Sequence, residues 1–541
     1  MLALMVAPAL VPAFAKDADL NLNGSFTAAD NETYTEVPFD VPAGVTRLTI
    51  RFDSEAMARG ASINLAVRAP DRLRGWSGEI RPKVTIGEID STPGYLTGPI
   101  VPGRWSLLVG AGRMPRDPPV RYSAQIWFDH PGDEFRGFSV YPVKRRPGWY
   151  RGDLHMHSGH SDGECKSMRG VDVPCPVFPT LAAARDAHLD FISLTDHNTT
   201  SQTESLRELA PYFDDLLIIP GQEVSMFRGH ANVFGPTQTL DFNVGGARGP
   251  GFNHLLGEVE QVHGVISINH PGADCCRWRM QDVDYRRVNA LEVINGGNLD
   301  DTGSPEGRSS FPLWEELLNE GYRIAGVSGS DNHEAFQRIA RDNQGIGRPT
   351  VVVYATELSQ SAVLDAIRSG HAFIDVWGAP NRFLEVDATS SPATGAAIGA
   401  SAPVAASASA GASDPIAASA PKAASAPVSR TGATATLAAT TGTLHAMMGD
   451  TLKAPRGAPV TFAVHVRGAP EGSRISIAGN GASLFTRSDT NLPVGETRRS
   501  FQLKADGRPH WVRFDVRDAK GVLLLVGNPI YLRGPIDSAK P

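Results

Sequence analysis

The chain has little cysteine, no basic surplus and no long apolar run in its interior. Only four cysteines occur in 541 residues, at 165, 175, 275 and 276, and no two of them form a CxxC pair, which argues against a zinc ribbon. Lysine and arginine total 51 against 58 aspartates and glutamates, a formal net charge of -7. That balance excludes a protein that coats nucleic acid, which needs a basic face, and no polybasic membrane patch is present. Beyond the first residues, no stretch reaches the roughly twenty apolar residues that a membrane helix needs. No internal repeat is visible. What remains is a globular composition, 41% hydrophobic and 20% charged, at a length that implies two to four domains.

The opening "MLALMVAPALVPAFAK" is a short apolar run ending in small residues before Lys16. It has the form of a secretory h-region and cleavage site, so residues 1–19 are expected to be a signal peptide and lead-in, and the protein to be exported, periplasmic or secreted. In such a compartment paired cysteines favour disulfides. Spacing alone does not set the connectivity: Cys165 is expected to pair with Cys175, or either of them with Cys275 or Cys276.

Residues 20–145 alternate apolar and polar side chains in short runs such as "TRLTIRFD" and "VRYSAQIWF", separated by Gly, Pro and Asp turns. This predicts an accessory β-sandwich. From 150 to 378 the rhythm changes. Helical patterns alternate with apolar strand-like runs: "FPTLAAARDAHL" then "DFISLTDH", "FNHLLGEVEQVH" then "GVISINHP", "FPLWEELLNEGY" then "RIAGVSGSD", "SQSAVLDAIRSG" then "HAFIDV". That is an α/β pattern with parallel strands, a barrel by expectation. Residues 379–440 are Ala/Ser/Pro-rich and predict a disordered linker. Short alternating strands return over 441–534, predicting a small C-terminal β-sandwich.

Ten of the fifteen histidines fall between 155 and 333. They cluster in segments that close predicted strands: "DLHMHSGHSDG", "SLTDHNTT", "GQEVSMFRGHANVFG", "SINHPG" and "GVSGSDNHE". On an extended segment, side chains at i and i+2 share a face, so His155 and His157 can reach one point. Several imidazoles and carboxylates gathered at strand ends are what a divalent-metal site requires, and a glutamate at a strand end can bridge two metals. Hard oxygen and imidazole donors without thiolate suit Mn, Fe or Zn.

In this order, the five segments resemble the motifs of the PHP (polymerase and histidinol phosphatase) superfamily of metallohydrolases. Their wording is most similar to its CehA/McbA-type branch, typified by carbaryl hydrolase. The resemblance covers residues 150 to about 378. It implies a distorted (β/α)7 barrel of seven parallel strands, here flanked by the two β-sandwiches, with two or three divalent transition-metal ions at the strand C-termini. Transferred residue by residue, it implies that His155 and His157 hold the first metal with Asp331. Glu223 bridges, His270 holds the second metal with His230, and Asp162, His197 and His333 surround a third site. Asp331, His333 and His197 are the implied catalytic groups. Two positions depart from the pattern. In many relatives a histidine stands where Asn232 is, and His230 faces the same side of a strand; Asp162 is histidine in some members.

Outside this set, Asp196 is expected to orient an imidazole, and His160 lies in the loop between ligands. His188, His254, His263 and His371 sit on or beside helical patterns and are read as structural or surface residues. The implied reaction is hydrolysis of an ester-type bond in a small molecule by a metal-activated hydroxide. Arg228 and Arg277 would favour a phosphoester. A pocket of Trp278, Phe227 and Phe252 would favour a carbamate, carboxyl ester or amide. The competing class is an inactive envelope-binding protein, with the sandwiches contacting glycan or envelope. No nucleic-acid partner and no membrane span are expected.

Overall fold

The computed structural model describes residues 17–78, 81–131, 133, 142–246, 248–298, 310–336, 345–390, 444–485 and 489–533. The protein is a mixed α/β molecule, richer in strands than in helices, arranged in several sheets.

Two antiparallel four-stranded sheets form the N-terminal part. One joins Leu20–Phe26, Val120–Asp129, Arg47–Ser54 and Lys83–Gly87; the other joins Thr33–Val41, Gly103–Arg113, Ser62–Arg68 and Leu73–Gly78. Period-two alternation places Leu48, Ile50, Leu107, Val109 and Ile126 in the shared interior, all with no exposed surface. Asp90 is buried beneath these sheets and pairs with Arg47 of the same unit and Arg207 of the central region, so one carboxylate ties the two together.

The central sheet begins with β1 (Gly148–Asp153), β2 (Phe191–Leu194), β3 (Leu217–Met226) and β4 (Gly229–Phe234). It continues with β5 (Val265–Asn269), β6 (Ala290–Asn295), β7 (Ala325–Gly329), β8 (Thr350–Ala355) and β9 (Ala372–Asp375). Among the described residues, five α-helices intervene: α1 (Val177–Asp186), α2 (Thr203–Leu209), α3 (Phe252–Gln261), α4 (Phe311–Asn319) and α5 (Gln360–Ser369). The strands run in the order β7-β6-β5-β4-β3-β2-β1-β8-β9. Nearly every side chain of β2, β5, β6 and β7 is buried, the mark of strands covered on both faces.

The seven parallel strands implied by the resemblance are not what forms. β1–β2–β3 and β5–β6–β7 are parallel, but β4 is antiparallel to both of its neighbours. The reason is local. Only Phe227 and Arg228 separate β3 from β4, a turn too short for a crossover helix. Gly229, at φ +131°, completes the turn, and a Cβ there would lie 2.6 Å from the Trp278 ring. The far ends of the set nevertheless meet. Beyond β7, Asp331 N–H donates to His155 O (2.8 Å) and His157 N–H to Asn332 O (2.9 Å).

The linker expected over 379–440 is corrected at its start. Phe383–Ser390 is a strand, paired with Pro459–Ala469 along its length, and it buries Leu384, Val386 and Ala388. Residues 391–440 lie outside the described residues, as do residues 1–16 of the expected signal segment. Nor does the C-terminal part stand apart: Leu523–Gly527 pairs with β9 and extends the central sheet. Among the described residues, no helix is long and apolar enough to cross a membrane.

Candidate metal centre

The site lies where the parallel strands end. β1 runs out at Asp153, whose buried carboxylate accepts the main-chain N–H groups of His155 (3.1 Å), Ser330 (3.0 Å) and Gly347 (2.8 Å). The segments after β1 and β7 are thereby held side by side. His155 and His157 then turn the same way: both Nε2 atoms reach Asp331 Oδ1, at 3.2 and 3.1 Å. Asp331 itself takes a left-handed backbone, φ +55°, which aspartate tolerates better than most residues.

Glu223 on β3 is fully buried and stands between two donor sets. Its Oε2 lies 3.2 Å from His155 Nε2, 3.6 Å from His157 Nε2 and 2.9 Å from His197 Nδ1. Its Oε1 lies 3.3 Å from His230 Nδ1 and 3.4 Å from His270 Nε2. Asn269 orients it by donating to Oε1 at 2.8 Å. A third gathering sits toward solvent. His157 stacks between His197 and His333, with ring centroids 4.3 and 4.1 Å away. Asp162 faces His197 Nε2 (3.6 Å) and His333 Nε2 (3.5 Å). His333 Nδ1 donates to Asp331 O at 2.8 Å, which leaves Nε2 as the ring's open nitrogen.

Ligand atoms thus fall into overlapping groups, each within 4.8 Å: His155, His157, Glu223 and Asp331; His157, Asp162, His197 and His333; His197, Glu223 and His230. The physical test of fit is whether these atoms satisfy one another. They do not. His155 Nε2, His157 Nδ1, Glu223 Oε2 and His230 Nδ1 are buried without a hydrogen-bond partner, although His155 Nε2 and Glu223 Oε2 are only 3.2 Å apart. Lone pairs facing each other out of water are costly unless a cation or proton lies between them. Proton affinities carry the same strain. Burial alone would raise the carboxyl groups of Glu223 and Asp331, but the surrounding histidines, His155 foremost, hold both well below the usual carboxylate range. Burial opposes charge on His155, yet the facing carboxylates push it well above an ordinary imidazole. The residues fit a divalent cation held by nitrogen and oxygen.

All nine residues implied as ligands therefore converge: His155, His157, Asp162, His197, Glu223, His230, His270, Asp331 and His333. Asn232 does not join them. It is buried, and its amide donates to Leu154 O at 3.2 Å under the site floor. Asp196 has a different task from the one expected. It accepts from Ser158 N–H, Ser158 Oγ–H and Ser161 Oγ–H, shaping the loop that carries Asp162 rather than orienting an imidazole. Cys165 and Cys175 are bonded across the small hairpin just after that loop, and Cys275 is bonded to Cys276. His160 Nδ1 contacts Ser201 Oγ at 2.8 Å on the exposed rim. Trp278, Phe227 and Phe252 do not line one common pocket. Phe252 is in the core, Trp278 packs on its edge, and Phe227 alone is exposed, at 92%. Arg277 is at the surface, paired with Asp274 at 3.2 Å.

One important residue escaped the sequence reading. Glu292 on β6 is 2% exposed, with Oε1 3.0 Å from His155 Nδ1. The signal was present in "ALEVIN", where a single charge interrupts an apolar strand that is otherwise wholly buried.

No protein-family model matches the chain, and no curated protein matches it. Among solved structures, the chain is similar to a two-domain protein of Bacteroides vulgatus described as containing a predicted PHP-like metal-dependent phosphoesterase. The identity is 16%, over 71% of this chain and 95% of that one, with a TM-score of 0.34. A second likeness, to xylanase 10C of Cellvibrio japonicus, has 7% identity over 56% of this chain and 60% of that one, with a TM-score of 0.14. Scores this low assign neither fold nor function.

Proposed function

We propose that this chain is an exported metal-dependent hydrolase of the PHP type, in its carbaryl-hydrolase-like branch, that cleaves a phosphoester of a small molecule. In this reading the central strands are a distorted barrel whose strand ends hold two or three Mn, Fe or Zn ions. The observation that carries it is the placement of Glu223. Each of its two buried oxygens faces a different set of imidazoles, so this one carboxylate would serve two cations. His155, His157 and Asp331 would hold one ion, His230 and His270 a second, and Asp162, His197 and His333 a third. When bound, such ions make hydroxide available near neutral pH and polarise the bond to be cleaved.

The chain's own contributions follow from exposure and tautomer. His155, His157 and Glu223 are sealed from water and serve to hold. The side chains of His197 and His333 keep 25% and 33% of their surface, so these are the imidazoles that meet the substrate. His333, with Nδ1 committed to Asp331 O, has Nε2 as its one open nitrogen, which would hold the third ion or, with two ions bound, transfer a proton. Asp331 completes this set, its Oδ2 steadied by Asn295 Nδ2 at 3.3 Å. Export is supported by the apolar opening segment and by the Cys165–Cys175 bond, which suits an oxidising compartment.

The test is a screen of the metal-reconstituted protein against p-nitrophenyl phosphate, bis-p-nitrophenyl phosphate, naphthyl acetate and naphthyl methylcarbamate, with Asp331→Asn as the blank. Turnover of a phosphate substrate is expected. Turnover confined to the carbon esters would move the reaction to carbon, and turnover of nothing would favour an envelope-binding protein.

A further inference from the structure

The histidines of the centre need more than proximity; their rings must present the correct nitrogen. We propose that Glu292 is the positioning residue that sets this for both sides of the centre at once, an inference that rests on the metal-dependent reading above. Its carboxylate makes three contacts and touches no proposed substrate position. Oε1 lies 3.0 Å from His155 Nδ1. Oε2 accepts the main-chain N–H of His270 at 2.9 Å and the side-chain amide of Asn295 at 3.0 Å. An ionised carboxylate only accepts, so the ring hydrogen of a neutral His155 is on Nδ1, and its Nε2 lone pair points at Glu223 Oε2 and Asp331 Oδ1.

The second arm acts on backbone rather than on a ring. His270 has φ +26°, a conformation that a non-glycine residue holds only when its surroundings impose it. The hydrogen bond from its N–H to Glu292 is one such constraint, and it keeps His270 Nε2 3.4 Å from Glu223 Oε1. His155 serves one oxygen of Glu223 and His270 the other, so one buried side chain fixes the spacing of two donor sets. Asn295 extends the same brace, giving one amide to Glu292 and to Asp331 Oδ2.

Glu292→Gln is the discriminating change. It keeps the shape, but a single carbonyl cannot accept from both His155 Nδ1 and His270 N–H, and the amide nitrogen opposes the remaining donor. Zn²⁺ and Mn²⁺ affinities would be measured by competition with a chromophoric chelator, beside thermal melting of the metal-free proteins. The variant is expected to melt near the wild type yet bind metal about 10- to 100-fold more weakly. Combined with His155→Ala, the losses should be less than multiplicative, because both changes strike one unit. Should the glutamine variant fail to fold, Glu292→Asp, which keeps the acceptors but not their reach, takes its place with the same expectation. Wild-type affinity in the variant, or fully multiplicative losses, would overturn the proposal. So would the failure of both variants to fold, which would make Glu292 a core residue. A wild-type chain that binds neither metal would overturn this proposal and the hydrolase reading together.

Discussion

Gly329→Ala would add one methyl group at the last residue of β7, and its effect follows from where that methyl must go. A Cβ at 329 would lie 2.2 Å from His155 Cβ and 2.9 Å from both His155 N and Glu292 Oε1. Ordinary carbon contact is about 3.5 Å, so β7 and the segment after β1 must part by roughly 1.3 Å. The obstacle is His155 Cβ and backbone, not the tip of a flexible side chain, so rotamer change offers no relief. Overpacking of this kind costs about 1–3 kcal/mol, which a chain of this size can survive. The centre cannot adapt as easily, because a displacement of about 1 Å in a positioned group can cost on the order of a hundredfold in rate. The predicted outcome is a folded protein with a lowered melting temperature, depleted metal by elemental analysis and turnover reduced about a hundredfold. Gly246→Ala, with no atom within 4 Å of the new methyl, serves as control. A Gly329→Ala protein matching that control in metal content and rate would refute the packing argument.

Other consequences are equally concrete. Glu223→Ala should strip at least one metal ion per chain, as measured by elemental analysis, whereas full occupancy would remove Glu223 from the bridging role. Asp90→Asn should destabilise the junction of the N-terminal sheets and the central region by about 3–5 kcal/mol at neutral pH, since Arg47 and Arg207 lose a buried counter-charge. Burial raises the Asp90 carboxyl, but Arg207 and Arg47 outweigh it and hold it low. Its stabilisation is therefore full above the unfolded carboxylate range and fades as pH falls through the lowered value, so wild type and variant should converge in acid melting curves. Thiol titration of the denatured, unreduced protein should find none of the four cysteines free. Cys165→Ser with Cys175→Ser should loosen the loop bearing Asp162, lowering metal occupancy there while leaving the ions at Glu223 in place; uniform loss would contradict that separation.

Much of the fold was legible because it is written locally. Helices α1, α3, α4 and α5 follow from 3.6-residue patterns, and the buried strands after them from short apolar runs. The donor residues were legible for a similar reason, since each lies in a polar cluster at a strand end. What escaped depended on pairing between distant segments. The strand Phe383–Ser390 carries its own alternation, Leu384, Val386 and Ala388 inward, but the Ala/Ser-rich composition that follows hides it until Pro459–Ala469 supplies the partner. The antiparallel β4 is hidden in the sequence because its two-residue turn lies inside one continuous strand-end motif.

Residue chemistry and order along the chain determined that this protein would gather imidazoles and carboxylates at strand ends, because periodicity and spacing are properties of short stretches. Tertiary structure alone decided which nitrogen of each ring faces the centre, that Glu292 braces His155 and His270, and that Asn232 and Asp196 support the site without joining it. Those outcomes depend on contacts between separate segments of the chain, from His270 and Glu292, 22 positions apart, to His155 and Glu292, separated by 137. No local pattern encodes a distance of that kind; it exists only once the ends of β1, β6 and β7 are held together.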